Sequence, residues 1–373
     1  MRYFTPLIRG FVVFILFSCN RTSYNPEVAF NVLLEQSIPN SDCTNYLFPI
    51  KNFVSNKVDS STYPVLFEDI MSKQMLKCEI YKDSVYFLHT ANVDSTIWPV
   101  NKLYAPHDFF YCFNHNTYSL SYQKFKGAAI QAYQLDQKYG LINLLSGYEE
   151  NRISCILMDN ASKTIGYGTT KERLEYYQKV KPILMINILP DSIEYRAFGY
   201  WPKEYVNTGN TYEDPYAKAC FGFKTDVCVS FGADHNLYLY NDTVLQYSKQ
   251  NKSNYISNFE PYPDDKQFDM LYLREYMQKE PKYMDIIYDP WKRLYYRIVK
   301  HPFLNSTTGS KVERFWSVII TDDRLNTIGE CKLSIQYDSN VFIPTPFGIL
   351  LMKGNFPDSK ERILTLIKIS AHE

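Results

Sequence analysis

Several short segments of this chain are apolar on both faces of a β-strand, and this property limits the fold more than any other. In residues 153–158, apolar side chains fall at odd and at even positions, so they point to both sides of an extended strand. Segments with the same character are 318–320, 349–352 and 363–369. A strand that is apolar on both sides has to be covered on both sides, by helices or by other sheets.

Helical patterns are too scarce to provide that cover. Residues 171–179 form one predicted helix, with Thr169 and Glu172 at the spacing of a capping box. Residues 268–278 form a second predicted helix, which ends before Pro281. Two short helices cannot cover six or more buried strands, so sheets have to cover sheets. Radially stacked four-stranded blades achieve this in a chain of 373 residues.

The remaining sequence reads as short strands joined by turns. Predicted hairpins flank polar turns at residues 82–84, 190–192, 232–236, 241–242 and 289–293. The 33 tyrosines and 24 phenylalanines also favour strands, because aromatic side chains suit a half-buried pleated surface. The sequence therefore predicts an all-β protein, a β-propeller with six four-stranded blades. A multi-sheet β-sandwich or a large barrel is the structural alternative.

One internal match supports repeated units. Residues 159–166 and 322–329 both begin with Asp, contain a polar turn and end in Thr-Ile-Gly at identical offsets. The two copies start 163 residues apart, at 159 and 322, which corresponds to three units of about 54 residues. Six such units need about 326 residues, close to the length that remains after a short leader. A chance match is the alternative.

The start of the chain has the layout of a secretory signal that ends in a cysteine. Arg2 and Arg9 supply basic charge, residues 11–17 are an unbroken apolar run, and Ser18 and Cys19 close the segment. The run is far shorter than the roughly 20 residues that a helix needs to span a bilayer. The ending L-F-S-C-N resembles the lipobox of bacterial lipoproteins. An ordinary signal peptide or a short buried strand is the alternative.

This resemblance implies a signal peptide at residues 1–18 and a polar tether at residues 19–27 that begins with a lipid-bearing Cys19, and the predicted propeller domain then occupies residues 28–373. Acyl chains on Cys19 would contribute ~0.8 kcal/mol per buried CH₂ and hold the protein at a membrane. In Bacteroides-type lipoproteins, acidic residues soon after the cysteine accompany export to the cell surface. The first acidic residue here is Glu27. We therefore expect an outer-membrane protein that faces the periplasm, with the cell surface as the alternative.

Charge and cysteine content argue against several classes of protein. Lys plus Arg and Asp plus Glu both number 40, so the chain lacks the basic excess of a nucleic-acid-binding protein.

The eight cysteines include no C-x-x-C motif, which argues against a thioredoxin-like motif or a zinc ribbon. Cys78, Cys155 and Cys331 lie in apolar runs and are predicted to be buried thiols. Cys220 and Cys228 are the closest pair and could bridge two adjacent strands.

The segment at residues 283–297 is the most distinctive one in the domain. Its sequence, YMDIIYDPWKRLYYR, resembles an uncharacterised family of Bacteroides-group lipoproteins, a domain of unknown function with a TolB-like six-bladed propeller. The same segment also fits a hairpin with a turn at Asp289 and Pro290. The resemblance implies a fold and a lipid anchor, and it brings no catalytic residues with it.

No catalytic, cofactor-binding or metal-binding residues are predicted. None of the six histidines forms an H-E-x-x-H or H-x-H motif, and His107, Asp108 and His115 are only weak candidates for metal ligands. The chain also has no G-x-S-x-G, P-loop or G-x-G-x-x-G motif. Neither a resident metal nor a cofactor is therefore expected.

Two other sets of residues have ordinary structural explanations beside functional ones. Adjacent acids at 149–150, 264–265 and 322–323 read as turns, because a glycosidase needs its two carboxylates across a cleft. Tyrosine-rich loops at 198–202 and 212–216 could present rings to a sugar or a protein. Aromatic packing between blades uses the same residue types.

The sequence thus favours a membrane-tethered extracytoplasmic binding or scaffold module. Its ligand would be a protein, a peptide or a glycan held at the mouth of the propeller channel, and its membrane contact would be the lipid on Cys19. The competing hypothesis is a glycan- or peptide-degrading hydrolase or lyase with its site at the central channel. Ionisable side chains that converge there would favour the enzyme. A purely structural envelope component is the third option.

Overall fold

The structure is a computed structural model that describes residues 28–38, 47–49, 62–69, 74–82, 84–91, 109–114, 119–124, 147–149, 152–158, 168–188, 193–224, 226–302, 315–354 and 362–371. These residues form 22 β-strands, three α-helices and one short 3-10 helix at Asp264–Lys266. The prediction of an all-β protein is confirmed.

The strands in chain order are β1 (Val28–Ile38), β2 (Leu47–Pro49), β3 (Thr62–Asp69), β4 (Gln74–Tyr81), β5 (Val85–Ala91), β6 (Phe109–Asn114), β7 (Ser119–Lys124), β8 (Gly147–Glu149), β9 (Arg152–Met158), β10 (Ile183–Ile188), β11 (Ile193–Phe198), β12 (Ala217–Phe221), β13 (Asp226–Phe231), β14 (Asn236–Asn241), β15 (Val244–Gln250), β16 (Lys282–Asp289), β17 (Leu294–Lys300), β18 (Trp316–Asp322), β19 (Thr327–Leu333), β20 (Tyr337–Thr345), β21 (Gly348–Lys353) and β22 (Arg362–Ala371). The helices are α1 (Thr170–Lys179), α2 (Lys203–Thr208) and α3 (Met270–Lys279). The hairpins predicted around the turns at 190–192, 232–236, 241–242 and 289–293 are confirmed by the strand pairs that flank them.

The strands form five four-stranded antiparallel sheets and one two-stranded sheet, and none of the sheets closes into a barrel. Four sheets are simple meanders of consecutive strands, β2–β5, β8–β11, β12–β15 and β16–β19, and β6 pairs with β7. The last sheet has the order β20-β21-β22-β1, so the N-terminal strand completes the C-terminal sheet. The pairing of β1 with β22 runs from Val28 opposite Ala371 to Ile38 opposite Arg362.

Neighbouring sheets touch in chain order through the strands on one edge. β12 packs against β9 on one side and against β16 on the other. β16 packs against β20, and β20 packs against β2. With the exception of β9, these are the first strands of their sheets. From the β8–β11 sheet to the last sheet, the order in space therefore follows the order in the sequence, and the contact of β20 with β2 joins the last sheet to the β2–β5 sheet.

The apolar core lies between the sheets, as the two-faced strands require. On β18, Val318 and Ile320 pack in a cluster with Phe342 of β20. Ile319, on the opposite face of β18, packs instead with Tyr283 of β16. All five of these side chains are almost fully buried. Burial of one such side chain stabilises the fold by about 1.5–3 kcal/mol. Sheets therefore cover sheets here, as the sequence predicted.

The helices agree with the sequence in two cases of three. α1 has the predicted capping box, because Thr169 accepts the backbone N–H of Glu172 and the Glu172 carboxylate accepts the N–H of Thr169. α3 begins after Asp269, whose carboxylate caps its first turn. α2 was not predicted, because its six residues are too short to show a helical period.

The internal sequence match does not mark equivalent positions in the fold. The first copy, residues 159–166, lies outside the described residues, but it directly follows β9, the second strand of its sheet. The second copy follows β18, which is the third strand of its sheet. The two sheets are also separated by one intervening sheet rather than two. The interpretation of this match as a three-unit repeat is therefore wrong.

Candidate functional site

A narrow cleft lies between the β12–β15 sheet and the β16–β19 sheet. Its walls come from the loop before β12, the turn after β13, the loop that follows residue 258, and the junction between α3 and β16. The lining residues are Tyr212, Glu213, Asp214, Gly232, Ala233, Phe259, Glu260, Tyr276, Glu280, Pro281 and Lys282. These side chains leave no room for a water molecule between them, so a ligand would enter only after side chains move.

Glu213 is the centre of the charge network in this cleft. Its side chain is only 2% exposed, and Oε1 lies 2.7 Å from Nζ of Lys300 and 3.2 Å from Nζ of Lys282. Lys282 and Lys300 are direct register partners on β16 and β17. Like charges directly opposite each other destabilise a strand pair. The carboxylate of Glu213 lies between the two ammonium groups and offsets that repulsion.

Asp214 extends the network to the neighbouring sheet. Its Oδ2 lies 3.2 Å from Nζ of Lys218 on β12 and 3.7 Å from Nζ of Lys282 on β16. The backbone oxygen of Asp214 packs so closely on Gly232 that a Cβ built there would lie 1.8 Å from it. Glycine is therefore required at position 232. The two acids thus join the sheets at the cleft through side chains and backbone.

Two further carboxylates make the cleft rich in negative charge. The Glu280 carboxylate accepts the backbone N–H of Glu260 at 3.2 Å. Partial burial raises the pKa of Glu280 above its usual range, and the neighbouring carboxylates of Glu260 and Glu213 add to this rise. Glu260 and Glu280 therefore add two carboxylates to a cleft in which lysines already pair with Glu213 and Asp214.

Tyrosine rings form the apolar side of the cleft. The Tyr276 hydroxyl donates to the carbonyl of Glu260 at 2.6 Å, and its ring meets that of Tyr262 edge-on with centroids 4.9 Å apart. The ring of Tyr212 packs on Tyr205 with centroids 5.0 Å apart. Each of the two cleft tyrosines packs against a second tyrosine ring, and this packing fixes the position of the tyrosine wall.

Arg297 fixes the β13–β14 connection, which forms one wall of the cleft. This side chain on β17 is fully buried, and it donates to Ser230 Oγ at 2.9 Å and to the carbonyl of Asn251 at 2.9 Å. It also donates to four carbonyl groups in the β13–β14 connection, those of Phe231, Asp234, His235 and Asn236. Its guanidinium lies 3.3 Å from the ring centroid of Tyr283. The connection that Arg297 holds is the one that brings Gly232 and Ala233 to the cleft.

A second buried network contains the residue types of a hydrolase but not their geometry. Ser317 donates to Glu330, and its hydroxyl also meets Nε2 of His301 at 2.7 Å. Serine therefore lies between the acid and the histidine, whereas a nucleophilic serine needs the histidine in the middle. Burial lowers the pKa of His301 to about 3, which keeps the imidazole neutral. The Ser253 hydroxyl also donates to Glu330. The arrangement holds β17, β18 and β19 together and presents no activated nucleophile.

The structure disperses most of the residues that the sequence singled out. Cys19, His107, Asp108, His115 and Glu150 lie outside the described residues. His89 lies on β5, while Glu149 ends β8. Asp264 pairs with Arg173, and Asp322 accepts backbone N–H groups in the β18–β19 turn, so both behave as structural acids. Of the rings considered as ligand contacts, Trp201 and Tyr212 are buried and Tyr200 is exposed. Cys78 and Cys331 are buried thiols, as predicted.

The charged residues of the cleft were missed. Glu213 and Asp214 lie in the loop at 212–216, where only the tyrosines were considered as ligand contacts. A partial signal was present, because the turn at 289–293 fixes the register of β16 and β17. Pairing the residues of the two strands outward from that turn places Lys282 within one position of Lys300. The register shift between Tyr283 and Asp285 accounts for the remaining position. Two facing lysines predict an acid between them, but only the fold identifies it as Glu213.

The described part of the chain contains neither a cluster of metal-binding side chains nor a membrane-spanning helix. No group of three or more His, Cys, Asp or Glu side chains there is placed to hold a metal ion. No helix among these residues is long and apolar enough to cross a bilayer.

Comparison with known proteins connects the chain to one family. The profile of a family described as "Domain of unknown function (DUF4221)" matches residues 105–332. The crystal structure of a DUF4221 member from Bacteroides vulgatus has a TM-score of 0.60 at 15% identity and covers 93% of this chain and 100% of that one. A luciferin-regenerating enzyme reaches a TM-score of 0.42 at 8% identity, covering 91% of this chain and 97% of that one. Comparison with curated proteins gives no match.

Proposed function

We propose a binding function for this chain, which belongs to the DUF4221 family: it is an extracytoplasmic binding or scaffold module that holds a positively charged peptide segment in the cleft beside Glu260 and Glu280. The observation that carries the proposal is the cleft itself, in which carboxylates and tyrosine rings from two sheets converge. A binding function fits its chemistry better than catalysis, because Glu213 and Asp214 are already neutralised by lysines.

The proposal includes a six-bladed propeller over residues 28–373. Six sheets follow one another along the chain, five of them with four strands, and β6 with β7 would belong to the remaining blade. The first strands of successive sheets pack against one another, as strands around a central axis would. The closure of the last sheet by β1 also supports a ring. In that ring Lys218 and Lys282, on the first strands of two blades, would lie near the mouth of the channel.

The proposed location rests on the sequence. A signal peptide at residues 1–18 would be removed, and lipid on Cys19 would hold the domain at a membrane through the tether at residues 19–27. The periplasmic face of the outer membrane is the proposed site, with the cell surface as the alternative. Metabolic labelling with an alkyne fatty acid tests the anchor, because a Cys19→Ala chain would remain unlabelled.

The charge of the cleft is the reason for proposing a cationic ligand. Glu260 is exposed and Glu280 is half-buried beside it, and the negative charge of Glu260 contributes to the raised pKa of Glu280. A lysine or arginine side chain between them would relieve that repulsion and form charge-assisted hydrogen bonds.

Selection from a phage-displayed random peptide library on the immobilised full chain tests this proposal. We expect enrichment of peptides that contain Lys or Arg, and weaker capture by a Glu280→Gln chain. A Glu275→Gln chain is the matched control, because Glu275 lies exposed on α3 outside the cleft. Recovery of peptides without basic residues, or equal capture by the Glu280→Gln and control chains, would contradict the proposal.

Replacement of Glu213 measures how much its ion pairs with Lys282 and Lys300 contribute to the free energy of unfolding. We expect Glu213→Gln to lower the free energy of unfolding by about 2–4 kcal/mol, because Lys282 and Lys300 would face each other without an anion between them. Urea unfolding measures the change. The Glu275→Gln control removes only an exposed pair with Lys279 and should shift stability by less than about 0.5 kcal/mol. A loss at Glu213 no larger than the control would show that the network is not structural.

The alternative of a hydrolase or lyase has one specific observation in its favour. Glu280 has a raised pKa in a cleft, which is the property of a general acid. Incubation of the full chain with a peptide mixture and with oligosaccharides, followed by mass spectrometry of the products, tests this alternative. Cleavage that is lost in Glu280→Gln would establish it, and intact substrates would leave the binding function.

A further inference from the structure

Cys220 and Cys228 face each other across two antiparallel strands. Cys220 lies on β12 and Cys228 on β13, and the two are direct register partners. Directly opposed residues in an antiparallel pair point to the same face of the sheet. Both side chains are buried, at 3% and 0% exposure, and they share one apolar cluster with Tyr295. The two sulfur atoms therefore occupy the same closed space.

No other cysteine in the described part of the chain faces a cysteine. The register partners of the others are Val65 and Phe87 for Cys78, Ser121 for Cys112, Ile186 for Cys155, and Val318 for Cys331. The facing arrangement is thus specific to Cys220 and Cys228, and the other buried cysteines provide matched controls.

The Cα spacing of the two strands, but not yet the Cβ spacing, is that of a disulfide. Gly222 donates its N–H to the carbonyl of Asp226 at 2.8 Å, which identifies this facing pair as hydrogen-bonded. Hydrogen-bonded and non-hydrogen-bonded pairs alternate along two antiparallel strands. Cys220 and Cys228 lie two positions from Gly222 and Asp226, so they also form a hydrogen-bonded pair, with Cα atoms about 5.5 Å apart. Disulfides have Cα separations of about 5.5–6 Å. Facing Cβ atoms of a hydrogen-bonded pair lie at the wide end of the range of about 4.5–5.5 Å, and a disulfide needs about 3.5–4.5 Å, so closure draws the two side chains together by about 1–2 Å.

We propose that Cys220 and Cys228 form a disulfide that links β12 to β13 when the chain folds in the presence of a disulfide oxidant. The thiolate of one cysteine attacks the oxidant and forms a mixed disulfide, releasing one thiol of the oxidant. The thiolate of the other cysteine then attacks the protein sulfur of that mixed disulfide and releases the second thiol. The two protein thiols are oxidised by two electrons, and the oxidant disulfide is reduced to two thiols that take up the two protons.

Oxidation belongs to folding rather than to the folded state. Both cysteines are thiols in this structure, and burial raises the pKa of each well above that of an exposed cysteine. Buried thiols with raised pKa values react slowly, because the thiolate is the nucleophile. In the unfolded chain the two residues are only eight positions apart and exposed to solvent. The bond therefore forms before the hairpin is covered by Tyr295 and its neighbours.

The test is to refold the reduced full chain in oxidised glutathione and then alkylate free thiols under denaturing conditions without reductant. Trypsin separates the two cysteines into peptides 219–224 and 225–249. We expect these peptides to be recovered as one linked species that dithiothreitol splits. Recovery of both as alkylated peptides, or linkage of either cysteine to a different one, overturns the proposal. This readout needs no variant to fold.

Thermal unfolding provides an independent readout. Dithiothreitol should lower the Tm of the oxidised wild type by about 3–6 °C, since the bond closes a short loop in the unfolded chain. The Cys220→Ser, Cys228→Ser chain should show no dependence on reductant, and a Cys331→Ser control should retain it. An equal response of the double variant and the wild type would overturn the proposal.

Discussion

Replacement of Arg297 by leucine is expected to lower the free energy of unfolding by about 4 kcal/mol or more. The fully buried guanidinium donates to the Ser230 hydroxyl and to the carbonyls of the β13–β14 connection and of Asn251. Leucine removes all of these donors and leaves buried acceptors without a partner, each at a cost of about 1–3 kcal/mol. Urea unfolding of the two chains measures the difference.

Two variants make that expectation specific. Arg297→Lys keeps the charge but has three donors in place of the planar fork, so an intermediate loss is expected. Arg196→Leu is the matched control, because this exposed arginine on β11 makes only a 3.5 Å contact with Asp242 at the surface. Similar stability losses in Arg297→Leu and Arg196→Leu would show that Arg297 does not organise the β13–β14 connection.

Stability should fall steeply as the pH drops below 6.5. Burial lowers the pKa of His235 to about 4, with a further contribution from the nearby charge of Arg297, and lowers that of His301 to about 3. Both histidines titrate near pH 6.5 in the unfolded chain. Between pH 6.5 and about 4 the unfolded state therefore binds more protons than the folded state, and acid favours unfolding. We expect a loss of about 2 kcal/mol per pH unit, after discounting the partly exposed His235 for solvent screening.

Single variants separate the two contributions to this slope. His301→Gln should reduce the pH dependence by about one proton, or ~1.4 kcal/mol per pH unit, and His235→Gln should reduce it by less. Unfolding free energies from urea titrations between pH 7 and pH 4.5 provide the measurement. An unchanged slope in His301→Gln would mean that other groups cause the acid sensitivity.

Local structure could be predicted from the sequence because it depends on neighbouring residues. The capping box of Thr169 and Glu172 and the turn at Asp289 involve residues within three positions of each other. In that turn the Asp289 carboxylate accepts the N–H groups of Trp291 and Lys292. The need for sheets to cover sheets also followed from local patterns, since apolar residues on both faces of β18 exclude a solvated side.

The site could not be predicted because its contacts connect distant parts of the chain. Glu213 meets Lys300 from 87 positions away, and Arg297 meets the carbonyl of Phe231 from 66 positions away. No periodicity or spacing in the sequence encodes such pairs. The internal match at 159 and 322 misled for the same reason, because its two copies follow different strands of their sheets, β9 and β18.

The central claim is that a cationic peptide segment binds in the cleft between the β12–β15 and β16–β19 sheets. Hydrogen exchange of the full chain, with and without a basic peptide recovered from the phage selection, tests it most directly. Slower exchange is predicted in residues 212–218 and 276–282, with little change in the distant strands β3 and β4. Slower exchange confined to other segments, or unchanged exchange at saturating peptide, would contradict the claim.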